Sequence, residues 1–188
     1  MEEHLITQAI YRDLLTVMSR PGTVRKLTGD ISEISPHGLV AVAATLLDQE
    51  VSFAVLDDDD LSAALRQKTD ARTVAVPEAD FVFVVGGHSG GLIADAQRGT
   101  HMYPDSGATV LYQVEYLAEQ SSESTVDLTG PGIADVNSPL IRGLDVDELE
   151  LLGTINQDYP LGIDIILVDR DNRVMALPRS TQVTITHQ

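Results

Sequence analysis

Short segments rich in β-branched and aromatic residues alternate with helical segments along this chain, and this alternation constrains the possible folds most strongly. Between residues 51 and 128 the predicted strands are Val51–Leu56, Thr73–Val76, Phe81–Val85, Ala108–Val114 and Thr125–Leu128. A polar, serine-rich segment at Glu119–Ser124 separates the last two, which we expect to form a hairpin. The alternation predicts an α/β fold, because helical crossovers allow neighbouring strands to run parallel.

Two helices are predicted before the first strand. Apolar residues recur at helical spacing from Ile6 to Val17, and this amphipathic helix ends at Pro21-Gly22 because proline lacks an N–H and disfavours helical geometry in the residue before it. Ser35-Pro36 has the pattern of an N-cap followed by a first-turn proline. It precedes a mostly apolar segment, Leu39–Leu47, which we expect to be a largely buried helix.

Three more helices follow along the chain. They are predicted at Leu61 to about Lys68, at Leu92–Gln97 and at Val146–Asn156. Asp145 and Glu148 have the spacing of a capping box at the start of the last one, where their charges also suit the positive end of the helix dipole.

A second hairpin is predicted near the C-terminal end. It consists of Ile163–Val168, the turn Asp169–Asn172 and Arg173–Leu177, and one more strand follows at Val183–Thr186. A hairpin must pair antiparallel, so the sheet is mixed. We therefore expect residues 1–188 to form a single layered α/β domain, with a mixed β-sheet flanked by helices.

Charge and composition exclude several classes of partner. The chain has 188 residues, with 12 basic and 29 acidic side chains and a formal net charge of −17. DNA, RNA and anionic membranes are poor partners for such a chain, because binding them requires clustered Lys and Arg. Cysteine is absent, which removes disulfides and thiolate sites, and the first residues lack the pattern of a signal peptide. We expect a cytoplasmic protein.

One glycine-rich segment could bind a phosphate. Gly86–Gly91 follows an apolar predicted strand and precedes a predicted helix, where backbone N–H groups can surround an anion. Its glycine spacing matches neither the dinucleotide nor the nucleoside-triphosphate pattern. Glycines that supply positive φ angles in a turn are the alternative interpretation, and the sequence favours it.

The remaining candidates for chemistry are weak. Asp57–Asp60 could hold a divalent cation, but consecutive carboxylates do not converge on one ion, and a solvated turn that starts a helix is the better interpretation. The histidines include no pair at the helical spacing of metal ligands, and no Gly-x-Ser-x-Gly turn exists. We therefore predict neither a metal site nor a nucleophile.

Two arginines stand beside stiff turns. Arg20 precedes Pro21-Gly22, and Arg179 follows Leu177-Pro178. Arginine binds phosphate through two parallel hydrogen bonds, so both are candidate substrate or phosphate ligands. In a chain with 29 carboxylates, pairing with Asp or Glu is the alternative. The two lysines, Lys26 and Lys68, have no evident place in a Schiff-base mechanism.

Six turn motifs occur in a specific order along nearly the whole chain. They are Met18-Ser19-Arg20-Pro21-Gly22, Leu46-Leu47-Asp48 with Glu50, Pro104 with Gly107-Ala108-Thr109, Leu128-Thr129-Gly130-Pro131-Gly132-Ile133, Pro160-Leu161-Gly162-Ile163-Asp164 and Leu177-Pro178-Arg179-Ser180-Thr181. Together they resemble the H subunit (PhnH) of the bacterial carbon-phosphorus lyase system. The Gly86–Gly91 segment is not part of this resemblance, and Ser180 stands where the family tends to have threonine.

The resemblance implies a fold similar to the large domain of pyridoxal-phosphate-dependent transferases, without the cofactor and without its lysine. It also implies a place in a cytoplasmic assembly with G, I and J subunits. That assembly transfers an alkylphosphonate to the ribose of ATP and releases adenine, before a later radical step breaks the carbon-phosphorus bond. The I subunit is thought to carry the transfer chemistry. ATP and the alkylphosphonate are then substrates of the complex, and this chain binds no cofactor of its own.

Three functional hypotheses follow. The first is an accessory or non-catalytic subunit of that complex, which forms a homodimer when isolated, and in which the Pro and Gly residues of the motifs shape turns. The second is a stand-alone small-molecule or nucleotide-phosphate-binding enzyme that uses the Gly86–Gly91 loop and Arg20 or Arg179. The third is a scaffold without ligand contacts.

Overall fold

A computed structural model describes residues 2–35 and 37–186 of the chain. Within these residues there are four α-helices: α1 (Glu2–Ser19), α2 (Gly38–Leu46), α3 (Asp59–Thr69) and α4 (Val146–Ile155). The same residues form eleven strands: β1 (Arg25–Lys26), β2 (Ser52–Leu56), β3 (Arg72–Thr73), β4 (Phe81–Val85), β5 (Thr109–Gln113), β6 (Tyr116–Ala118), β7 (Val126–Thr129), β8 (Leu140–Arg142), β9 (Asp164–Val168), β10 (Arg173–Leu177) and β11 (Gln182–Ile185).

The central sheet has seven strands in the order β1-β10-β9-β5-β4-β2-β3. Strands β9, β5, β4, β2 and β3 run parallel, whereas β10 and β1 are antiparallel to their neighbours. The predicted α/β fold with a mixed sheet is therefore confirmed. Two small antiparallel sheets, β11 with β7 and β6 with β8, lie outside the central sheet.

Strand β5 shows why the first predicted hairpin is wrong. Val110, Leu111 and Tyr112 are all buried, although successive side chains of a strand point to opposite faces. A strand that buries both faces belongs in the interior of a parallel sheet, and β5 lies between β4 and β9. The segment predicted to pair with it, β7, instead pairs with β11.

The central sheet has a hydrophobic core on each face. Helices α1, α2 and α3 contribute to one core, which includes Phe53, Phe83 and Leu111. The rings of Phe53 and Phe83 pack edge to face with their centroids 6.1 Å apart. Helix α4 and the two small sheets cover the opposite face, where Val110 and Tyr112 are buried. Alternation along the strands thus produces three layers.

The predicted opening helix is confirmed as α1, which buries one apolar stripe against the sheet and ends before Pro21. The second predicted helix, Leu39–Leu47, is confirmed as α2, but its N-cap residue is His37 and not Ser35, and Pro36 lies outside the described residues. Its first turn is capped from elsewhere in the fold, because the Gly38 N–H donates to the Asn172 side chain at 2.8 Å. Such a long-range cap cannot be identified from local spacing.

Two other local predictions are confirmed and two need correction. Asp58 is the N-cap of α3, as expected for the acidic cluster. The strand predicted at Thr73–Val76 is reduced to β3, because a 3₁₀ turn containing Pro77 follows it. The short helix predicted from Leu92 is a single 3₁₀ turn. The C-terminal hairpin is confirmed as β9 and β10.

No helix in the described part of the chain combines the length and hydropathy needed to span a bilayer.

Candidate functional site

The Arg179 turn brings four of the six sequence motifs together. The backbone N–H of Arg179 donates to the Asp164 carboxylate at 2.8 Å, and its Nε lies 3.2 and 3.1 Å from the two oxygens of that carboxylate. Its Nη2 also donates to the Asp164 carboxylate, and the other guanidinium hydrogen bonds go to the carbonyl oxygens of Pro104 and Gly107. Both charged side chains are largely buried, with 13% and 17% exposure. Arg179 therefore pairs with a carboxylate, which is the alternative that the sequence left open.

Two of the motif glycines are required for this packing. A Cβ atom on Gly107 would lie 2.4 Å from the Gly162 carbonyl oxygen and 2.6 Å from the Arg179 guanidinium. A Cβ atom on Gly132 would lie 2.4 Å from the Ser19 carbonyl oxygen. Only glycine permits these approaches without movement of the backbone. The glycines at these two positions therefore allow close contacts between backbone segments.

The Gly130-Pro131-Gly132 turn lies between the two predicted arginine turns. Gly130 approaches the Ser180 carbonyl oxygen beside Arg179, and Gly132 approaches Pro21 beside Arg20. The side chain of Arg20 is exposed and forms no hydrogen bond or ion pair with any other residue that the structure describes. The two predicted phosphate ligands therefore differ in their charge partners. Arg179 is neutralised by Asp164, whereas the Arg20 side chain has no partner among the described residues.

The remaining motif residues hold the turns in place. Pro21 accepts a hydrogen bond from the Asn137 side chain at 3.2 Å, and the Gly22 N–H donates to the Ala176 carbonyl oxygen at 3.4 Å. Pro178 accepts from the Thr181 N–H at 2.8 Å. These contacts join the first and last motifs to the same small region of the fold.

A cavity of about 560 Å³ adjoins the Arg179 turn. Its wall includes the end of α4, the turn after β10 and the start of β11, with lining residues Pro131, Gly153, Asn156, Gln157, Tyr159, Arg179, Ser180, Thr181, Gln182 and Val183. None of the described lining residues is acidic, in a chain with 29 carboxylates. Because Asp164 neutralises Arg179, the lining is polar but nearly uncharged. The buried hydroxyl of Thr181 has no hydrogen-bond partner within the described residues.

The Gly86–Gly91 loop lies at a different edge, where β4 ends. Gly86, Gly87, Gly90 and Gly91 all have positive φ, so the conformational interpretation of these glycines is confirmed. Strands β2 and β4 are neighbours in the sheet, but the chain continues from them in opposite directions. From β2 it goes outward to the edge strand β3, and from β4 it goes inward to β5. Such a divergence at the carboxyl ends of parallel strands is where open α/β sheets bind ligands. A small cavity of about 190 Å³ is present there.

Glu148 ties this loop to the rest of the fold. It is 4% exposed and accepts hydrogen bonds from the backbone N–H and hydroxyl of Ser89, both at 2.8 Å, and from the hydroxyl of Tyr112. Burial, followed by the hydrogen bond to Glu148, raises the pKa of Tyr112 well above its ordinary value. The predicted capping box is therefore wrong: Asp145 is the N-cap residue of α4 but its side chain makes no capping bond, and Glu148 points inward.

The sequence did contain a signal for this buried carboxylate. Glu148 lies four residues before Leu152 and seven before Ile155, so it shares the buried apolar stripe of α4. A carboxylate within such a stripe must find hydrogen-bond donors.

His88 lies beside Glu148 and is more than half exposed, with Nδ1 3.2 Å from Asp145 and 3.7 Å from Glu148. In the described part of the chain, no group of three or more His, Asp or Glu side chains has the arrangement of a metal site.

Comparison with known proteins identifies the family. The family model described as "Bacterial phosphonate metabolism protein (PhnH)" matches residues 2–184. A putative C-P lyase subunit protein, HtxG, of Stutzerimonas stutzeri is 31% identical over 95% of this chain and 86% of its own length. The alpha-D-ribose 1-methylphosphonate 5-triphosphate synthase subunit PhnH of Rhizobium meliloti is 28% identical over 94% of this chain and 89% of its own length. Since the match covers nearly every residue and all six motifs, the chain belongs to the PhnH family of bacterial phosphonate metabolism proteins.

Proposed function

We propose that this chain is an accessory, non-catalytic subunit of a carbon-phosphorus lyase core complex. In that role it supports transfer of an alkylphosphonate to the ribose of ATP with release of adenine. The observation that carries the proposal is the family match over residues 2–184, together with two relatives that are named as subunits. G, I and J subunits are its partners, and it forms a homodimer in their absence. It acts in the cytoplasm and binds no cofactor of its own.

The use of polar groups near the motifs supports an accessory role. The Arg179 guanidinium donates its hydrogen bonds to Asp164 and to two backbone carbonyl oxygens. It therefore organises the turns and is not directed at a substrate phosphate. Arg20 remains free, and an exposed cation on a strongly acidic protein can contact either a substrate phosphate or a carboxylate of a partner. Of the two predicted ligands, Arg20 is the one we assign to such a contact.

Reconstitution tests the proposal. The purified chain is mixed with G, I and J subunits, and the mixture is analysed by size-exclusion chromatography for a single co-eluting complex. Adenine release from ATP in the presence of methylphosphonate is then measured with and without the chain. We expect co-elution and activity that depends on the chain. Failure to associate, or turnover by the isolated chain alone, contradicts the proposal.

The alternative is a stand-alone nucleotide-phosphate-binding enzyme that uses the Gly86–Gly91 loop. Its support is the position of that loop at the diverging carboxyl ends of β2 and β4. The nearby carboxylates of Asp145 and Glu148 oppose it, because they repel a polyphosphate. Isothermal titration of the isolated chain with ATP separates the two hypotheses. Tight binding that is lost when His88 and Ser89 are replaced by alanine favours the alternative.

A further inference from the structure

Strand β11 leaves one of its edges without hydrogen-bond partners. The Thr186 N–H donates to the Thr125 carbonyl oxygen at 2.8 Å, which identifies this pair as a hydrogen-bonded pair of the antiparallel ladder with β7. Because hydrogen-bonded pairs alternate along such a ladder, the N–H and C=O groups of Val183 and Ile185 point away from β7. Within the described residues these four groups have no hydrogen-bond partner.

The outer edge of strand β7, in contrast, forms hydrogen bonds within the chain. Leu128 exchanges two hydrogen bonds with Asn137, at 2.8 and 3.0 Å. Val126 uses the hydroxyl of Ser124, which accepts from its N–H at 3.2 Å and lies 2.7 Å from its carbonyl oxygen and also 2.7 Å from the Pro139 carbonyl oxygen. The outward groups of β7 are thus satisfied internally, while those of β11 are left open.

The edges of the central sheet are also protected against pairing. Strands β1 and β3 have two residues each and carry Arg25, Lys26 and Arg72. Short, charged strands prevent addition of another strand. Residues 182–186 contain neither a charge nor a proline, and four of the five, all except Gln182, are β-branched residues with high strand propensity. Strand β11 therefore lacks this protection.

The cavity described above provides side-chain space next to this edge. Gln182 and Val183 belong both to β11 and to the cavity wall, which also includes Tyr159 and Pro131. Strand addition uses backbone hydrogen bonds for affinity and pockets for alternate side chains for specificity. The absence of carboxylates among the described lining residues suits uncharged side chains.

We propose that the outer edge of β11 pairs with an extended, uncharged segment of a partner subunit, whose side chains enter the 560 Å³ cavity. This inference rests on the proposed function, because it requires that the chain works within an assembly. A second copy is the less favourable occupant of this edge, because a chain with 29 acidic side chains and a formal charge of −17 suits the uncharged cavity lining poorly, and the homodimer proposed above would use a different face.

Hydrogen exchange resolved to single amides tests the proposal on the unmodified chain. In isolation, the amides of Val183 and Ile185 exchange rapidly, whereas that of Thr184 is protected by β7. In the complex with the G, I and J subunits, exchange at Val183 and Ile185 slows by about tenfold or more. Unchanged exchange at both amides in a complex that has formed overturns the inference.

A proline substitution tests the same edge by binding. Val183→Pro removes an N–H that points away from β7, so the ladder keeps its hydrogen bonds. Val183→Ala is the matched control, because it removes the side chain and keeps the N–H. We expect the proline variant to bind the partner complex about tenfold more weakly than the alanine variant. Equal affinities overturn the proposal, and if the proline variant does not fold, the exchange experiment decides.

The outcomes separate this inference from the proposed function. If no complex forms with the unmodified chain, the proposed function fails and the inference fails with it. If a complex forms while Val183 and Ile185 stay unprotected, only the inference fails. If these amides become protected in the isolated chain as its concentration rises, a second copy occupies the edge, and that result also overturns the proposal.

Discussion

The Arg179–Asp164 pair and the Glu148 cluster both tie loops to the sheet, yet only the first is marked by turn residues in the sequence, whereas Glu148 is marked only by its position in an apolar helical stripe. Proline and glycine residues surround Arg179, because the backbone there turns tightly and approaches other backbone closely. Glu148 lies in the middle of a regular helix, where no turn residue marks it. The comparison teaches that turn motifs report constraints on the backbone, whereas buried polar contacts are visible only when side chains from separate segments meet.

The largest expected effect is at Glu148. Replacing Glu148 by Ala leaves the Tyr112 hydroxyl and the Ser89 donors without their buried acceptor, so we expect a loss of about 3 kcal/mol in the free energy of unfolding. Urea denaturation followed by circular dichroism measures it. Glu150→Ala on the exposed face of the same helix is the control, with a change within about 0.5 kcal/mol. Equal losses for the two variants would mean that the buried cluster is energetically unimportant.

The next effect is at the Arg179 turn. Asp164→Ala leaves the largely buried Arg179 guanidinium without its carboxylate, and we expect a loss of about 2 kcal/mol. A double-mutant cycle with Arg179→Ala should give a coupling energy of about 1 to 2 kcal/mol, measured by the same denaturation. A coupling near zero would show that the two residues act independently, and the turn would then depend on its glycines alone.

The pH dependence of stability tests the contribution of Tyr112 to the Glu148 cluster. Tyr112→Phe should cost about 1 to 2 kcal/mol at pH 8, because Glu148 loses a buried donor. In the unfolded chain Tyr112 has an ordinary pKa of about 10, while its pKa in the native state is raised. Above pH 10 the unfolded state of the unmodified protein is therefore stabilised by ionisation. Above pH 10, the difference in unfolding free energy between the unmodified protein and the Tyr112→Phe variant should therefore shrink by about 1.4 kcal/mol per pH unit. A difference independent of pH between 8 and 11 would contradict the raised pKa.

The smallest effect on stability is expected at Arg20. Its exposed side chain makes no contact with other described residues, so Arg20→Ala should change the unfolding free energy by less than about 0.5 kcal/mol. In the reconstituted complex the same variant should lower either the affinity for partners or the rate of adenine release. Arg12→Ala, an exposed cation on α1, is the control. Unchanged assembly and turnover in Arg20→Ala would assign this residue no role in ligand or partner binding.

Much of the fold could be predicted from local patterns, and the failures share one cause. The opening helix, the acidic start of α3 and the β9–β10 hairpin are confirmed, because each depends on residues close in the sequence. The hairpin expected between β5 and β7 and the capping role of Glu148 are wrong. In both, the local pattern allowed two outcomes and long-range burial decided between them.

The sequence by itself determined the α/β class, the mixed sheet, the positions of the tight turns and, through its six ordered motifs, the family. These features depend on hydrophobic periodicity and on the φ angles open to proline and glycine, which act over a few residues. The tertiary structure decided that Arg179 is neutralised by Asp164, that Glu148 faces Tyr112 and Ser89, and that β11 keeps an unpaired edge. Those outcomes join residues that are 15 to 59 positions apart, or concern a strand edge with which no other described residue pairs, so no local pattern specifies which groups meet.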